Sequence, residues 1–187
     1  VGINDAPYHT TKCPYYQKWQ KLLERCYSEP YKKRKPSYKE VAVCDEWLTF
    51  SNFKAWCIEQ EKEVGDISLL ELDKDLLGNG TKIYSPSTCC FLPKKVNMFI
   101  QVQTRGKGLM GVHKRGNKFK AQCNDSLRKV RCILGRFDNE AHAFGAYIRK
   151  KTELAREIAY HTNLVPQQHV KDALITFYPS LRSSIIH

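Results

Sequence analysis

Residues 109–137, LMGVHKRGNKFKAQCNDSLRKVRCILGRF, decide how this chain is read. Two turn signals, Gly116-Asn117 and Asn124-Asp125-Ser126, cut the stretch into three short pieces. Glycine and asparagine are the residues that a tight hairpin turn demands. The expectation is three strands, at about 109–114, 118–124 and 128–134. In the middle piece Phe119 and Ala121 alternate with Lys118, Lys120 and Gln122; in the last, Val130, Cys132 and Leu134 alternate with Lys129, Arg131 and Ile133. Successive strand side chains point to opposite faces, so the apolar set turns one way and the cationic set the other, with Lys114 and Arg115 at the edge.

The residues that follow supply a cover for the apolar face. Asp138 is the expected helix cap, and Glu140 suits the first turn. Ala141, Phe144, Ile148, Ala155 and Ile158 recur at helical spacing, whereas Lys150, Lys151 and Arg156 fall outside that stripe. Asn163 and Pro166 end the helix. A three-stranded antiparallel sheet packed on one helix, over 109–163, makes a small α+β domain. The tail, 164–187, has a further short helical pattern (Val170, Leu174, Phe177) without an assigned role. The glycine-rich, polar run 101–108 reads as the linker that precedes the sheet.

The charge is concentrated in the same region. The chain of 187 residues has a formal net charge of +12. Residues 1–93 carry 13 Lys and Arg against 13 Asp and Glu, and residues 94–131 carry 11 against one, Asp125. A field this local is what steering toward phosphates requires. Duplex DNA is the partner expected, and an anionic membrane surface is the runner-up. No apolar run approaches the ~20 residues that span a bilayer, so no membrane insertion is expected. Arg and Gln take guanine and adenine edges bidentately, which makes Arg115, Gln122, Arg128 and Arg131 the candidates for base contact. Lys114, Lys118, Lys120 and Lys129 are the candidates for phosphate. Alternation supports the faces; it does not choose bases over phosphates.

Upstream, Pro14 suits a first helical position, and Tyr15, Trp19, Leu22, Leu23 and Cys26 share one helical face. Residues 1–13 read as an extended arm, and 28–38 as a basic, proline-bounded loop. Val41 and Val43 alternate as in a short strand. Ser51 is the expected cap of a second helix whose Phe53, Trp56 and Cys57 form an apolar stripe. Aromatic side chains at this spacing belong to a core rather than to a base-stacking platform. A short strand ending in Leu72-Asp73-Lys74-Asp75, a Gly-Asn-Gly turn at 78–80, a strand near 90 and a short helix opened by Pro93 follow. The eight cysteines include no Cys-x-x-Cys pair, so zinc has no spacing support. They read as reduced, buried, small apolar residues, which implies a cytoplasmic setting.

Two resemblances bear on function. Gly111-Val112, Phe119-Lys120-Ala121, Leu134-Gly135-Arg136-Phe137, Glu140-Ala141, and Ala146-Tyr147 with Lys150 resemble the plant ethylene-response-factor DNA-binding domain, over about 109–152. Similar modules occur in phage endonucleases. The resemblance implies a sheet that enters the major groove. Residues 70–99 look like an eroded HNH, or ββα-metal, nuclease motif: Leu72-Asp73-Lys74-Asp75 stands at the first strand end, Tyr84 to Cys89 at the middle turn, and Val96-Asn97 on the helix. With Tyr16…Trp19, Arg25-Cys26-Tyr27 and Cys44-Asp45-Glu46-Trp47, the chain resembles HNH-type homing endonucleases of tailed phages. The resemblance implies a degenerate HNH domain at 1–100 with a helical N-terminal elaboration, and a setting in the cytoplasm of an infected bacterial host. It also implies a catalytic set of Asp73, Lys74, Asp75 and Asn97, with Asp73 and Asn97 as ligands of Mg2+ or another divalent cation. The family's general base is a histidine, and none of the six histidines lies in 70–99.

Three functions follow as expectations. The first is sequence-preferring duplex DNA binding with metal-dependent phosphodiester cleavage. The second is a binding protein that kept the fold and lost the reaction. The third is an anti-defence interaction protein whose basic face meets an acidic partner. A second reading also fits Asp73 and Asp75, a solvated turn with a salt bridge to Lys74. A monomer is the expected state.

Overall fold

The structure, a computed structural model, describes residues 1–101 and 108–185; the expected linker at 101–108 lies, its two ends apart, outside the described residues. The chain is α+β and forms two compact units, Val1–Leu92 and Pro93–His187.

The first unit begins with an arm tied down by backbone pairing: the Ile3 N–H donates to the Leu48 carbonyl, and the Phe50 N–H to that of Ile3. Helix α1 is Pro14–Tyr27 and starts at the proline, as its fixed φ favours. A second helix, α2, Glu29–Arg34, and a 3-10 turn, Pro36–Tyr38, take the place of the loop expected at 28–38. The reason is local: the Ser28 side chain accepts from the Tyr31 N–H, and Pro30 opens the helix. Strand β1, Ala42–Val43, leads through a 3-10 turn, Asp45–Leu48, into α3, Phe50–Val64. The N-cap of α3 is Thr49, not Ser51. Ser51 sits inside the first turn, where its N–H is satisfied by Asp5 Oδ1 from the arm, at 2.9 Å. Strands β2, Leu70–Asp73, β3, Ile83–Tyr84, and β4, Cys90–Pro93, complete the unit. β1 pairs in parallel with β3, and β2 pairs with β4.

The apolar stripes of α1 and α3 close on one another. Trp19, Leu22 and Cys26 from α1, and Phe50, Phe53 and Cys57 from α3, are buried around Trp47. Trp47 meets Phe53 edge-on at 5.1 Å and Trp56 at 4.6 Å between ring centres. Each of these large side chains contributes about 1.5–3 kcal/mol through burial, so the tryptophans and phenylalanines of 47–56 are core. None of the eight cysteines is in a disulfide; five are buried. Burial pushes the Cys26 and Cys123 thiols up to about 11 and that of Cys89 to about 12, far from thiolate chemistry.

The second unit opens with α4, Lys94–Ile100, whose N-cap is Pro93. Three antiparallel strands follow in spatial order: β5, Val112–Arg115, β6, Lys118–Asp125, and β7, Val130–Phe137. Helix α5, Glu140–His161, packs across all three. Its cap is Asn139 rather than Asp138: the Asn139 side chain accepts from the His142 N–H at 2.8 Å, while Asp138 pairs with Lys118. The tail forms α6, Gln168–Ile185, which packs against α5. That contact explains a second correction. Lys151, expected outside the apolar stripe, is buried, because α5 is covered on more than one side. Its Nζ stands 3.6 Å from the Phe99 ring centre and 4.7 Å from that of Tyr178, and donates to the Phe99 carbonyl. Ala141, expected in the stripe, is exposed.

Gly111 lies where sheet and helix meet without room for a side chain. Its φ is +70°, and a Cβ there would meet a Tyr147 ring carbon at 2.0 Å and the Gln122 carbonyl oxygen at 2.7 Å.

Candidate nucleic-acid interface

Strand register sorts the side chains of the sheet into two faces, since directly paired residues share a face. Toward α5 lie Val112, Ala121 and Gly135 in one row, Cys123 beside Cys132 in another, and Lys114, Phe119 and Phe137 in a third. Away from α5 lie Arg115 beside Lys118, the row His113, Lys120 and Arg136, then Gln122 beside Ile133, and Asn124 beside Arg131. The paired strand residues of this outer surface include five cations and no acid: Arg115, Lys118, Lys120, Arg131 and Arg136. Gln122 and His113 are hydrogen-bonded, Nε2 to Nε2 at 3.2 Å, so neighbouring strands present them as one polar unit. Lys118 is held by its ion pair with exposed Asp138.

The outer face contains Arg115, Lys118, Lys120, Gln122 and Arg131 from the sequence-derived set, and it excludes three others. Lys114 is paired with Phe119 and so belongs to the row on the helix side, although its end of the strand is exposed. Lys129 is not a strand residue: it lies in the turn before β7, at φ +56°. Arg128 is engaged elsewhere. Its Nη1 donates to Asp125 Oδ2 at 2.8 Å, and Nη1 and Nη2 reach the two Glu157 oxygens at 3.0 and 2.6 Å. The Asp125 carboxylate, buried in the same turn, also accepts from the backbone N–H groups of Leu127 and Arg128. Burial pushes that carboxyl upward, and the hydrogen bonds from Arg128 and Leu127 outweigh it and hold it below its ordinary range. Arg128 is thus the clasp of the β6–β7 turn.

His113, Asn124 and Arg136 are outer-face residues that alternation alone did not select. A register shift between Ala121 and Gln122 leaves Leu134 as an extra residue in β7. Strict alternation from Arg131 puts Arg136 on the helix side; the bulge reverses the phase, so that Arg136 faces out and Phe137 faces in. Gly135, at φ +126°, supplies the backbone the bulge requires. The adjacent pair Leu134-Gly135 was the available sign of it.

The second candidate region is the end of β2. Asp73 and Lys74 are buried, at 6% and 8% exposure, which corrects the solvated-turn reading for Asp73, whereas Asp75 is exposed and pairs with Lys74 as that reading has it. Asp73 Oδ1 accepts the N–H groups of Asp75 and Leu76, at 3.0 and 2.9 Å, and so closes the turn after the strand. Burial pushes its carboxyl up to about 6, against the lowering effect of those two bonds. Lys74 Nζ pairs with the exposed Asp75 carboxylate and lies 5.7 Å from the Tyr84 ring centre. Asn97 is half-buried in α4 of the second unit. Among the described residues no three or more His, Cys, Asp or Glu side chains stand together as a metal cradle. The turn engages one Asp73 oxygen, Oδ1.

No family model matches the chain, and neither the curated proteins nor the solved structures compared with it contain a match. Among the described residues no helix is long and apolar enough to cross a membrane.

Proposed function

We propose that this chain binds double-stranded DNA with a sequence preference, through the face of the β5–β6–β7 sheet that points away from α5. The observation that carries the reading is the outer face itself: five cations, two amides and an imidazole in adjacent register rows, with no acid among them. A two- or three-stranded layer fits the width of the major groove, where Arg and the Gln and Asn amides can read base edges. Lys118 and Lys120 serve as phosphate contacts that set position. Ethylene-response-factor-like docking is the mode proposed for this face, and a degenerate HNH fold is proposed separately for the first unit.

The test is a gel-shift selection on randomised duplexes over a salt series. Affinity falls steeply with salt, and a preferred sequence emerges that Arg131→Ala with Arg136→Ala weakens. Binding indifferent to salt, or equal affinity of the double variant for every duplex, removes the proposal.

Cleavage is a second reading, favoured by one observation. A carboxyl at about 6, such as Asp73, ionises near the pH at which a histidine base would work. By its position in the sequence, at the end of β2, it stands where the HNH resemblance lacks its histidine. Incubation of the chain with plasmid DNA and Mg2+ or Mn2+ decides: nicking abolished in Asp73→Asn supports it, and no nicking in either protein ends it.

A further inference from the structure

The first unit has no net charge, yet five of its 13 cations, Lys32, Lys33, Arg34, Lys35 and Lys39, fall within eight consecutive residues, with no acid between Glu29 and Glu40. Macrodipole compensation gives α2 a reason for cations in its last turn. It gives none for Lys35 and Lys39, which lie beyond the helix. None of the five makes an ion pair among the described residues. Lys33, Arg34, Lys35 and Lys39 are exposed.

The segment is also rigidly built. The Lys35 N–H bonds the Tyr31 carbonyl, those of Tyr38 and Lys39 bond the carbonyls of Lys35 and Pro36, and the Val41 N–H bonds that of Tyr38. The Tyr31 and Tyr38 rings meet edge-on at 5.4 Å, and the Arg34 guanidinium lies over Tyr31 at 5.6 Å. The hydrogen-bonded, ring-braced backbone sets where these side chains leave the segment, unlike the backbone of a solvated tail. Ser37 and Tyr38 border a cavity of about 260 Å³ whose lining includes Lys74 and Lys82.

We infer that α2 and the 3-10 turn after it form a second phosphate-binding surface, on the first unit, that takes the backbone of duplex DNA without regard to sequence. The inference rests on the DNA-binding reading of the sheet for its ligand. Lysine side chains meet phosphates as point charges, and removing one such lysine lowers the salt dependence of binding by about one unit.

The experiment uses the full chain and a fixed duplex, with fluorescence anisotropy from about 50 to about 200 mM salt. Lys33→Ala/Lys35→Ala/Lys39→Ala is expected to reduce the slope of log affinity against log salt by roughly two to three, equally for preferred and scrambled duplexes. The three-arginine counterpart is expected to keep the slope, and circular dichroism to show the same melting temperature for all three proteins. An unchanged slope in the alanine variant, while Arg131→Ala/Arg136→Ala still loses its sequence preference, overturns the inference and leaves the sheet reading standing. Absence of duplex binding by the unaltered chain overturns both.

Discussion

The outer face of the sheet and the end of β2 are both rich in charge, and they treat it in opposite ways. On the sheet, Arg115, Lys120, Arg131 and Arg136 line a face whose paired strand residues include no acid, turned away from the helix. At the end of β2, Asp73 and Lys74 are buried, and their groups are committed to a turn, to Asp75 and to the Tyr84 ring. Free charge on a solvated face can meet a ligand at little desolvation cost, whereas charge folded into a turn serves first to hold that turn. The sheet is therefore the region suited to recognition, and the β2 turn the region suited to architecture.

The largest effect that would undo this contrast is at Gly111. The sheet can present its cations only while its other face is seated on α5, and a methyl at Gly111 collides with Tyr147 and the Gln122 carbonyl. Gly111→Ala is expected to destabilise the second unit by about 3 kcal/mol or more, through overpacking and an unfavourable φ. Thermal unfolding checks this; a variant that melts as the parent does would show that the sheet–helix contact is looser than described. Next come the paired outer-face arginines. Arg131→Ala and Arg136→Ala should each weaken binding to a preferred duplex by about 1–3 kcal/mol while leaving the melting temperature unchanged, as titration calorimetry and a melt can establish together.

The two units also titrate in opposite senses. Asp73 is raised from 3.8 to about 6, so the folded chain holds more protons than the unfolded one between those values. Stability from this group is present below about pH 4 and is lost as pH rises through about 6, on the order of 2–3 kcal/mol. Asp73→Asn flattens that part of the profile. Lys151 is lowered from 10.5 to about 8 by burial, so its contribution is absent below about pH 8 and grows as pH rises toward 10.5, by a similar amount. Denaturant midpoints across pH measure both, and Lys151→Met should remove the alkaline limb. The smallest effect is expected at Arg128: because its guanidinium clasps Asp125 and Glu157, Arg128→Ala should leave the preferred DNA sequence unaltered and lower the melting temperature slightly. A changed base preference in that variant would return Arg128 to the recognition surface.

Local pattern carried much of the fold. Gly116-Asn117 marks a turn because few residues tolerate such a backbone, and the alternation of Phe119 and Ala121 with lysines divides β6 correctly, but the turn expected at 124–126 falls at 126–129, since Asn124 and Asp125 pair with β7 as strand residues. Pro14 begins α1 because its ring favours a first helical turn. What local pattern missed depended on partners far along the chain. Ser51 is displaced as a cap because Asp5, 46 residues earlier, reaches its N–H. Lys151 is buried because α6 folds back over α5.

Neighbouring residues alone were enough to reveal the concentration of cations after residue 93, the three strands, the helix behind them and the aromatic core of the first unit. Periodicity and turn chemistry are properties of adjacent positions. Which cations share a face was settled by the folded arrangement instead. A single extra residue in β7 brings Arg136 out, and the Asp125–Arg128–Glu157 clasp withdraws Arg128. Register and ion pairing are relations between segments, and no stretch of chain read alone contains them.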